Sequence, residues 1–235
     1  MNYELISSRI VAAIAAFIVA TTTFAQSAEP TITFYSTESA SDVEMSAGEE
    51  QSAPAPLEIT MRANLEDDAG WKSKCEWKIY TAEAGEEHAL LDRFEENSTY
   101  TFNQSGSYCA KLYVTFTQGE SEETFESEEF KINISTSKLS CPDGFSPNGD
   151  EVNDVFKITY QSIIKMSGAF FNRWGQKVYS FDLSNVDQGW DGRQNGKYVK
   201  DGVYFLNLQA EGSDGVKYNI KKAVNVMKGL RDYNE

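Results

Sequence analysis

Four side chains with hard oxygen atoms lie within seven residues of one another, in the stretch GFSPNGDEVNDVF from Gly144 to Phe156. Carboxylate and amide oxygens are the ligands that Ca²⁺ prefers. The spacing differs from an EF-hand loop, because no Glu stands at the twelfth position and no Gly follows Asp150. Turn chemistry explains the same residues, since Asn and Asp hydrogen-bond their own backbone and tolerate left-handed conformations. We favour a structural turn, with calcium as the alternative for Asn148, Asp150, Asn153 and Asp154.

Two tryptophans in this half of the chain, Trp174 and Trp190, each precede or follow a glycine in a loop-like setting. An exposed indole could stack on a sugar or on a partner protein. Large aromatic side chains in small sandwiches are more often part of the core. We therefore predict core positions for both tryptophans.

Catalytic chemistry finds little support in the sequence. The only histidine, His88, lies in the acidic stretch EAGEEHALLD, where a solvated surface residue is the expected interpretation. No nucleophile elbow, zinc-protease motif or Cys–His pattern accompanies it. The sequence predicts a protein without enzymatic activity and without an organic cofactor.

The N-terminus has the organisation of a secretory signal peptide. A polar segment ends at Arg9, an apolar run follows from Ile10 to Ala20, and small residues precede a cleavage point after Ala25. Eleven apolar residues are too few to span a bilayer, which takes about 20. We predict export, with residues 1–25 removed and no transmembrane anchor in the mature chain.

The chain has three cysteines, Cys75, Cys109 and Cys141. The predicted export permits disulfides between them. Cys75 and Cys109 occur in strand-like runs that could lie side by side in a sandwich core. We predict a Cys75–Cys109 bridge with Cys141 left over, although spacing alone does not fix connectivity.

The negative charge lies entirely in the first part of the chain. The formal net charge is −15, and residues 1–140 carry 9 basic and 24 acidic side chains, against 12 of each from Cys141 onward. An acidic half without a basic patch argues against nucleic acid and against an anionic membrane surface as partners. Its simplest role is to keep an exported domain dispersed.

Short β-strands must position the candidate residues named above. Runs rich in Val, Ile, Thr and aromatic residues, with 12 Tyr and 14 Phe in the chain, favour an all-β protein. In SYCAKLYVTFT, residues 107–117, the even-numbered positions are apolar and predict one buried face. Strands at this spacing over residues 57–137 predict an immunoglobulin-type β-sandwich. Residues 26–56, rich in Ser, Ala, Glu and Pro, are expected to form an acidic arm that contributes at most a first strand.

This first half resembles the polycystic-kidney-disease-type (PKD-like) immunoglobulin domains. The resemblance rests on CEWKIY, which supplies Trp77 as core tryptophan, and on TFNQSGSYCAKLYVTFT. It implies a spacer or binding module.

Past the connector STSKLSCP, residues 135–142, turn signals become dense. In residues 203–228 apolar and polar side chains alternate on both sides of GSDG, whose residues tolerate positive φ. This pattern predicts a β-hairpin with its turn at GSDG. Residues 141–235 therefore predict a second sandwich of immunoglobulin size. A hairpin at the end of the chain places its last strand at or near a sheet edge, where another protein could pair with it.

Four motifs of this second half occur in a fixed order: FSPNGDEVNDVF, FFNRWGQKVYSF, GWDGRQNGK and KDGVYFLNL. Together they closely resemble the gliding-motility-associated C-terminal domain, the type B sorting domain of type IX secretion, over residues 141–229. The resemblance implies an address that an outer-membrane translocon reads. The positions that match the family's motifs are Asn148, Gly149, Asp150, Asn153 and Asp154; then Asn172, Arg173, Trp174 and Gly175; then Trp190, Asp191, Gly192, Asp201, Gly202, Val203, Tyr204 and Phe205.

Two positions depart from the family pattern. Glu151 replaces the usual Gly, so the backbone there is expected to be less able to adopt positive φ. Lys200 replaces the usual Pro before Asp-Gly, which loosens that turn.

The sequence as a whole predicts an exported protein of two tandem immunoglobulin-like β-sandwiches after a signal peptide. Its expected role is a non-enzymatic envelope or cell-surface protein whose C-terminal domain meets secretion or surface-attachment machinery. The expected location is the periplasm, the outer-membrane surface or the medium. The alternatives are a calcium-dependent adhesin or glycan-binding module, and a structural envelope protein with a vestigial sorting domain. The oligomeric state is not determined by the sequence.

Overall fold

The structure, a computed structural model, describes residues 26–66 and 70–228. The predicted signal peptide, residues 1–25, lies outside the described residues, as does the end of the predicted C-terminal domain, residues 229–235. Strands and turns make up the described part, with two one-turn 3₁₀ helices, Glu86–His88 and Val186–Gln188. Among these residues no helix has the length and hydropathy needed to cross a bilayer. The prediction of an all-β protein with tandem immunoglobulin-like modules is confirmed.

The N-terminal domain is a sandwich of two sheets. Its strands are β1 (Thr31–Ser36), β2 (Ser41–Ser46), β3 (Glu50–Ala53), β4 (Leu57–Arg62), β5 (Lys72–Thr81), β6 (Leu91–Arg93), β7 (Asn97–Phe102), β8 (Gly106–Gln118), β9 (Ser121–Glu126) and β10 (Phe130–Ile134). One sheet has the order β2-β1-β4-β7. The other has the order β3-β10-β8-β5-β6, with β9 also paired to β8.

The segment expected to be a loose arm, residues 26–56, is part of this sandwich. It contributes β1, β2 and β3, each of which pairs with a strand of the sandwich or of the segment itself. Ile32 and Met45 are fully buried in the core, and Ala53 is nearly so. Side chains along these strands point alternately to the two faces, so a few apolar residues face inward and the acidic residues face solvent. The polar composition of the segment as a whole did not indicate this alternation.

The longest strand of this domain, β8, has the two faces that its alternation predicts. Its even-numbered residues from Tyr108 to Phe116 are buried and belong to the core. Trp77 on β5 is completely buried against Phe130, and its indole N–H donates to the Glu96 carbonyl at 3.2 Å. Trp77 is therefore the core tryptophan that the sequence predicted.

The C-terminal domain is built on one five-stranded sheet. Its strands are β11 (Lys138–Ser140), β12 (Gly144–Phe145), β13 (Thr159–Gln161), β14 (Ile163–Phe171), β15 (Lys177–Asp182), β16 (Arg193–Gln194), β17 (Lys197–Tyr198), β18 (Gly202–Gly212) and β19 (Lys217–Val226). The sheet order is β12-β19-β18-β14-β15, and β11–β13 and β16–β17 form two small sheets. Because β12 pairs with only two residues of β19, the last strand lies near the sheet edge, as predicted.

The described residues cover only one face of this sheet. Met166, Phe170, Leu206 and Leu208 point into a core completed by segments outside the five strands, including Phe156 and Trp190. The alternate residues on the opposite face are largely exposed along β18 and β19. The second layer of this module is thus made of loops and short strands rather than of a second large sheet.

The predicted Cys75–Cys109 bridge is wrong. In the β5–β8 ladder Cys75 opposes Val114 and Cys109 opposes Tyr80, an offset of five positions, or about 17 Å along the strands. Disulfides need Cα atoms within about 7 Å. The two side chains also point to opposite faces, because Cys75 lies in the core and Cys109 faces Glu129 on the outer surface. All three cysteines are free thiols.

We expect the denatured protein to take up three alkyl groups whether or not it has been reduced. In the native state Cys75 should react slowly, because burial, aided by the Glu96 charge, raises its pKa to about 11. Intact mass after alkylation in denaturant measures the first result. A mass lower by two alkyl groups without reductant would contradict the strand register.

Hydrogen bonds join the two domains at one end of the five-stranded sheet. The Ala55 amide donates to Ser162 Oγ at 3.1 Å, and the Ser105 amide donates to the Ser213 carbonyl at 3.1 Å. Ser162 and Ser213 are buried there. Ser137, in the connector, donates its amide and hydroxyl to the Asp214 carboxylate at 2.9 and 2.7 Å, which lowers the pKa of Asp214. We call this set of contacts the joint.

Candidate functional site

The four sequence motifs meet at the end of the five-stranded sheet opposite the joint. In the antiparallel ladders Ile163 lies beside Gly212 at the joint, whereas Phe171 lies beside Phe205 and Gly202 beside Val226 at the other end. The parallel strand β12 also runs toward that second end. We call this second end the distal end. It carries the loop of residues 146–154, the turn of residues 172–176, the β16–β17 hairpin and the turn of residues 199–202.

The first-motif loop is held by its own acidic and amide side chains. Asp154 accepts the Gly149 amide at 2.6 Å and the Glu151 amide at 2.8 Å. Asp150 accepts the Val152 amide at 2.9 Å and the side-chain amide of Asn148 at 2.8 Å. The backbone closes the loop, since the Ser146 amide donates to the Asn153 carbonyl at 2.8 Å. This is the turn chemistry favoured from the sequence.

The carboxylate oxygens of Asp150 and Asp154, two of the four residues considered for calcium, are therefore directed at N–H donors of the loop itself. The Asn148 side-chain oxygen likewise accepts the Asp150 amide at 3.1 Å. In the described part of the chain, no group of three or more His, Cys, Asp and Glu side chains is arranged to hold a metal ion. Calcium binding stays the alternative interpretation of this loop. A melting temperature that rises with Ca²⁺ and falls with chelator would reveal it.

The departure at Glu151 has a direct structural consequence. Glu151 adopts φ of 66°, and Asn153 in the same loop adopts 53°. The sequence expectation was that a non-glycine residue would resist this region, but the hydrogen bonds of the Gly149 and Glu151 amides to Asp154 enforce it. A left-handed backbone costs an L-residue roughly 1–2 kcal/mol.

Replacing Glu151 with glycine should stabilise the C-terminal domain by about 0.5–1 kcal/mol. Relief of the left-handed strain is partly offset by the greater backbone entropy that glycine loses on folding. Glu151→Ala is the matched control, because it removes the charge and keeps the strain. Urea denaturation measures both, and equal effects of Gly and Ala would attribute the change to charge instead.

The second-motif turn is organised by one asparagine. The Asn172 side-chain oxygen accepts the amides of Trp174 and Gln176, both at 3.0 Å. The Gly175 amide donates to the Asn172 carbonyl at 2.9 Å, with Gly175 at φ of 78°. The turn projects Trp174 into solvent with 74% of its surface exposed. The prediction of a core position for Trp174 is therefore wrong, because no described segment packs over this five-residue turn, which extends beyond the sheet.

Trp190, in contrast, is buried as predicted, with 1% of its surface exposed. The Phe156 amide donates to the Trp190 carbonyl at 2.9 Å, and the Trp190 amide donates to the Phe156 carbonyl at 3.1 Å. These two bonds hold Trp190 against the covered face of the sheet. Its indole N–H donates to the Arg193 carbonyl at 3.0 Å, and its ring centroid lies 4.5 Å from that of Phe170. The third motif also touches the first: a Cβ at Gly192 would lie 2.9 Å from Pro147.

The last motif closes the domain around the end of β19. The Tyr204 hydroxyl donates to the Lys200 carbonyl at 2.8 Å, and burial raises the pKa of Tyr204, with a smaller effect from Asp201. The Asp201 carboxylate accepts the Lys228 amide at 3.1 Å. The turn that lacks the family's proline is thus fixed by polar contacts on both sides of Lys200.

The distal end also carries an apolar surface that was not predicted from the sequence. Phe205 points away from the core beside Phe171 and Ala223 and is 48% exposed. We call the set Phe171, Trp174, Val203, Phe205 and Met227 the distal patch. The signal was present in the alternation of β18, where burial of Tyr204, Leu206 and Leu208 sends Val203 and Phe205 outward.

His88 lies on the 3₁₀ turn of the N-terminal domain, exposed, with Nδ1 3.3 Å from the Ala84 carbonyl oxygen. The neighbouring acid, Glu86, accepts the Tyr113 hydroxyl at 2.7 Å and pairs with Lys78 at 3.2 Å. The Tyr113 hydrogen bond, followed by Lys78, lowers the pKa of Glu86. These contacts form a structural network on the outer face of the sheet.

Part of the C-terminal half matches a known family. Residues 139–224 match the family model of the CHU_C type IX secretion signal domain. The resemblance found in the sequence motifs is thereby confirmed. No curated protein matches the chain.

Several solved structures are similar to the chain at low identity and low TM-score. Dimeric latent PorU from Porphyromonas gingivalis is 14% identical, with a TM-score of 0.27, over 77% of this chain and 19% of the PorU chain. A tetra-tandem repeat from the extending region of a large adhesion protein is 10% identical, with a TM-score of 0.26, over 87% of this chain and 68% of that chain. The FN1–FN3 domains of chicken CNTN1 are 8% identical, with a TM-score of 0.24, over 81% of this chain and 76% of that chain.

Proposed function

We propose that this chain is an exported, non-enzymatic protein that type IX secretion carries to the cell surface or the medium. The C-terminal domain serves as the sorting address and the acidic N-terminal sandwich as the passenger. The observation that carries the proposal is the match of residues 139–224 to a type IX secretion signal domain. In this proposal the C-terminal domain acts through recognition of its shape by a partner.

The geometry supports the address role in a second way. Motifs that are separated by up to about 50 residues in sequence meet at the distal end, the part of the C-terminal domain farthest along the sheet from the joint. An address must be reachable while its passenger is attached. A translocon that approaches the distal end would contact the motifs before it reached the N-terminal domain.

The two domains are connected without a long tether. Ser137 is anchored to Asp214, and Ile164 of β14 packs against the core of the N-terminal domain. We infer that the address and the passenger travel as one folded unit.

The test compares two strains of the bacterium that makes the protein. In cells with an intact translocon, we expect external protease to remove the full chain from whole cells. In cells that lack the translocon, the same chain should accumulate in the periplasm, protected from protease. Surface exposure that is equal in the two strains would contradict the proposal and favour a vestigial sorting domain.

A truncated chain provides a second test of the sorting role. A chain without residues 141–235 should stay in the periplasm in the strain with an intact translocon. Because the truncation uncovers Ser105 and Ala55 at the joint, its folding must be checked by its thermal unfolding. A folded truncated chain that reaches the surface would remove the address role from the C-terminal domain.

A further inference from the structure

Exposed large apolar side chains are concentrated at the distal end. Among the described residues of the C-terminal domain, Val216 is exposed at the joint end, in the turn between β18 and β19. The others lie on distal-end elements: the first-motif loop, the second-motif turn, the small hairpin, the start of β18 and the residue after β19. They are Val152, Trp174, Tyr198, Val203, Phe205 and Met227. Clustered exposed apolar surface of this kind marks an interaction site.

Trp174 is the most exposed of these side chains, and the turn beneath it is preorganised. Asn172 fixes two backbone amides of the turn, so little backbone freedom remains to be lost when a partner binds. The Arg173 guanidinium lies 4.3 Å from the indole centroid. Trp and Arg are among the residue types most enriched at the energetically dominant positions of protein interfaces.

The surface beside Trp174 is apolar in the middle and cationic at its rim. A shallow depression next to the turn is lined by Phe171, Phe205 and Ala223, with the cationic side chains of Arg173 and Lys221 beside them. Lys222 also borders the depression, but its charge is paired with the Asp143 carboxylate at 2.6 Å. Within the described residues, no carboxylate contributes to this lining. The rim is therefore complementary to acidic side chains, although the protein as a whole carries a net charge of −15.

The chemistry of the distal patch suits a protein better than a polysaccharide. Sugar rings stack on flat aromatic faces and need hydrogen-bonding groups beside them for their hydroxyls. Val203, Ala223 and Met227 supply aliphatic surface. The hydrogen-bonding groups beside it include the cations Arg173 and Lys221, which favour an acidic partner over neutral hydroxyls. Aliphatic side chains around an aromatic anchor are what an apolar protein pocket accommodates.

We propose that the distal patch docks on a protein of the export machinery that presents an apolar pocket for the Trp174 indole, rimmed by carboxylates. This deepens the proposed function and rests on it. Trp174 is the anchor, Phe205 and Val203 fill the floor of the contact, and Arg173 with Lys221 supplies the charge match. The buried motif residues, such as Trp190 and Tyr204, hold this surface in shape from below.

The test uses the full chain with single substitutions in cells whose translocon is intact. Trp174→Ala and Phe205→Ala should lower the surface-exposed fraction at least tenfold, with the chain accumulating in the periplasm. Val216→Ala is the matched control, because Val216 is similarly exposed, at 46%, but lies at the joint end. All three variants should melt within a few degrees of the original protein, since exposed substitutions change stability little.

Two further measurements address the partner's chemistry. Arg173→Glu should reduce surface exposure as strongly as Trp174→Ala, whereas Arg173→Lys should retain most of it. A photo-crosslinking residue at position 174 should trap a translocon component, and the same residue at position 216 should not. Crosslinks of equal yield at both positions would overturn the assignment of the surface.

The export results distinguish an error in the docking surface from an error in the sorting role. If the original chain needs the translocon but Trp174→Ala and Phe205→Ala reach the surface normally, the distal patch is not the docking surface and the sorting role stands. If the original chain reaches the surface without the translocon, both fail. If the variants are exported normally but lose binding to purified envelope polysaccharide, the distal patch is a glycan site and the protein partner is excluded.

Discussion

Replacing Trp190 with alanine is expected to destabilise the C-terminal domain by about 3–5 kcal/mol. The side chain is 1% exposed and forms the centre of an aromatic cluster with Phe145, Phe170, Tyr179 and Tyr204. Its removal leaves a large cavity and an Arg193 carbonyl without its indole donor. A loss of this size is comparable to the total stability of a small domain, which is typically about 5–15 kcal/mol.

Calorimetry of the purified protein measures this effect. For a domain of this size the midpoint should fall by on the order of 15 °C or more. Trp174→Ala is the matched control, because it removes the same side chain from a 74% exposed position and should change the midpoint by no more than a few degrees. Similar losses in the two variants would show that the assignment of one tryptophan to the core and the other to solvent is incorrect.

In cells the two tryptophan variants separate stability from recognition. Trp190→Ala should lower the amount of the protein and its export together, because an unfolded address is degraded or not read. Trp174→Ala should lower export while the protein remains folded and abundant in the periplasm. The pair therefore distinguishes a residue that builds the surface from a residue that makes contact through it.

Replacing Gly189 with alanine is the second change with a large expected effect, about 3 kcal/mol or more. Gly189 adopts φ of 69° and ψ of −176°, a region that is essentially restricted to glycine. A Cβ there would lie 2.5 Å from Val155 Cγ1 and 2.6 Å from the Phe156 carbonyl oxygen. Because that carbonyl accepts the Trp190 amide at 3.1 Å, the clash would separate the first motif from the third.

Gly175→Ala controls for the positive φ. Gly175 has φ of 78°, but a Cβ there would meet no atom within 4 Å, so only backbone strain of about 1–2 kcal/mol is expected. Urea denaturation of both variants measures the difference. If Gly189→Ala costs no more than Gly175→Ala, the close approach of the two chain segments at Phe156 is not tight, and the cluster around Trp190 is looser than the structure shows.

The motif order and the alternation of apolar residues were sufficient to predict the class of fold and the family model that residues 139–224 match. In β8 the even-numbered residues are buried because side chains on a strand point alternately to the two faces, and this follows from the sequence alone. The turn chemistry of the loop around Asp150 was also predictable, since its side-chain hydrogen bonds join residues at most six positions apart. Such features depend on local geometry.

Other features depended on which segments pair. Cys75 and Cys109 both lie on strands that pair side by side, but the register of β5 with β8 separates them and places them on opposite faces. Residues 26–56 became strands because partner strands satisfy their backbone groups, which their composition did not indicate. Register and pairing are long-range choices that a pattern of period two does not contain.

The tryptophans at positions 174 and 190 show the same division most clearly. The sequence alone determined that this protein is built from β-strands, that its acidic charge belongs to its first half, and that its second half carries four ordered motifs. Only the tertiary structure decided that Trp190 is drawn into the core by Phe156, that Trp174 is held in solvent by Asn172, and that the motifs meet at one end. The reason is physical: a side chain's burial depends on what the rest of the chain places above it, and its local sequence does not specify that.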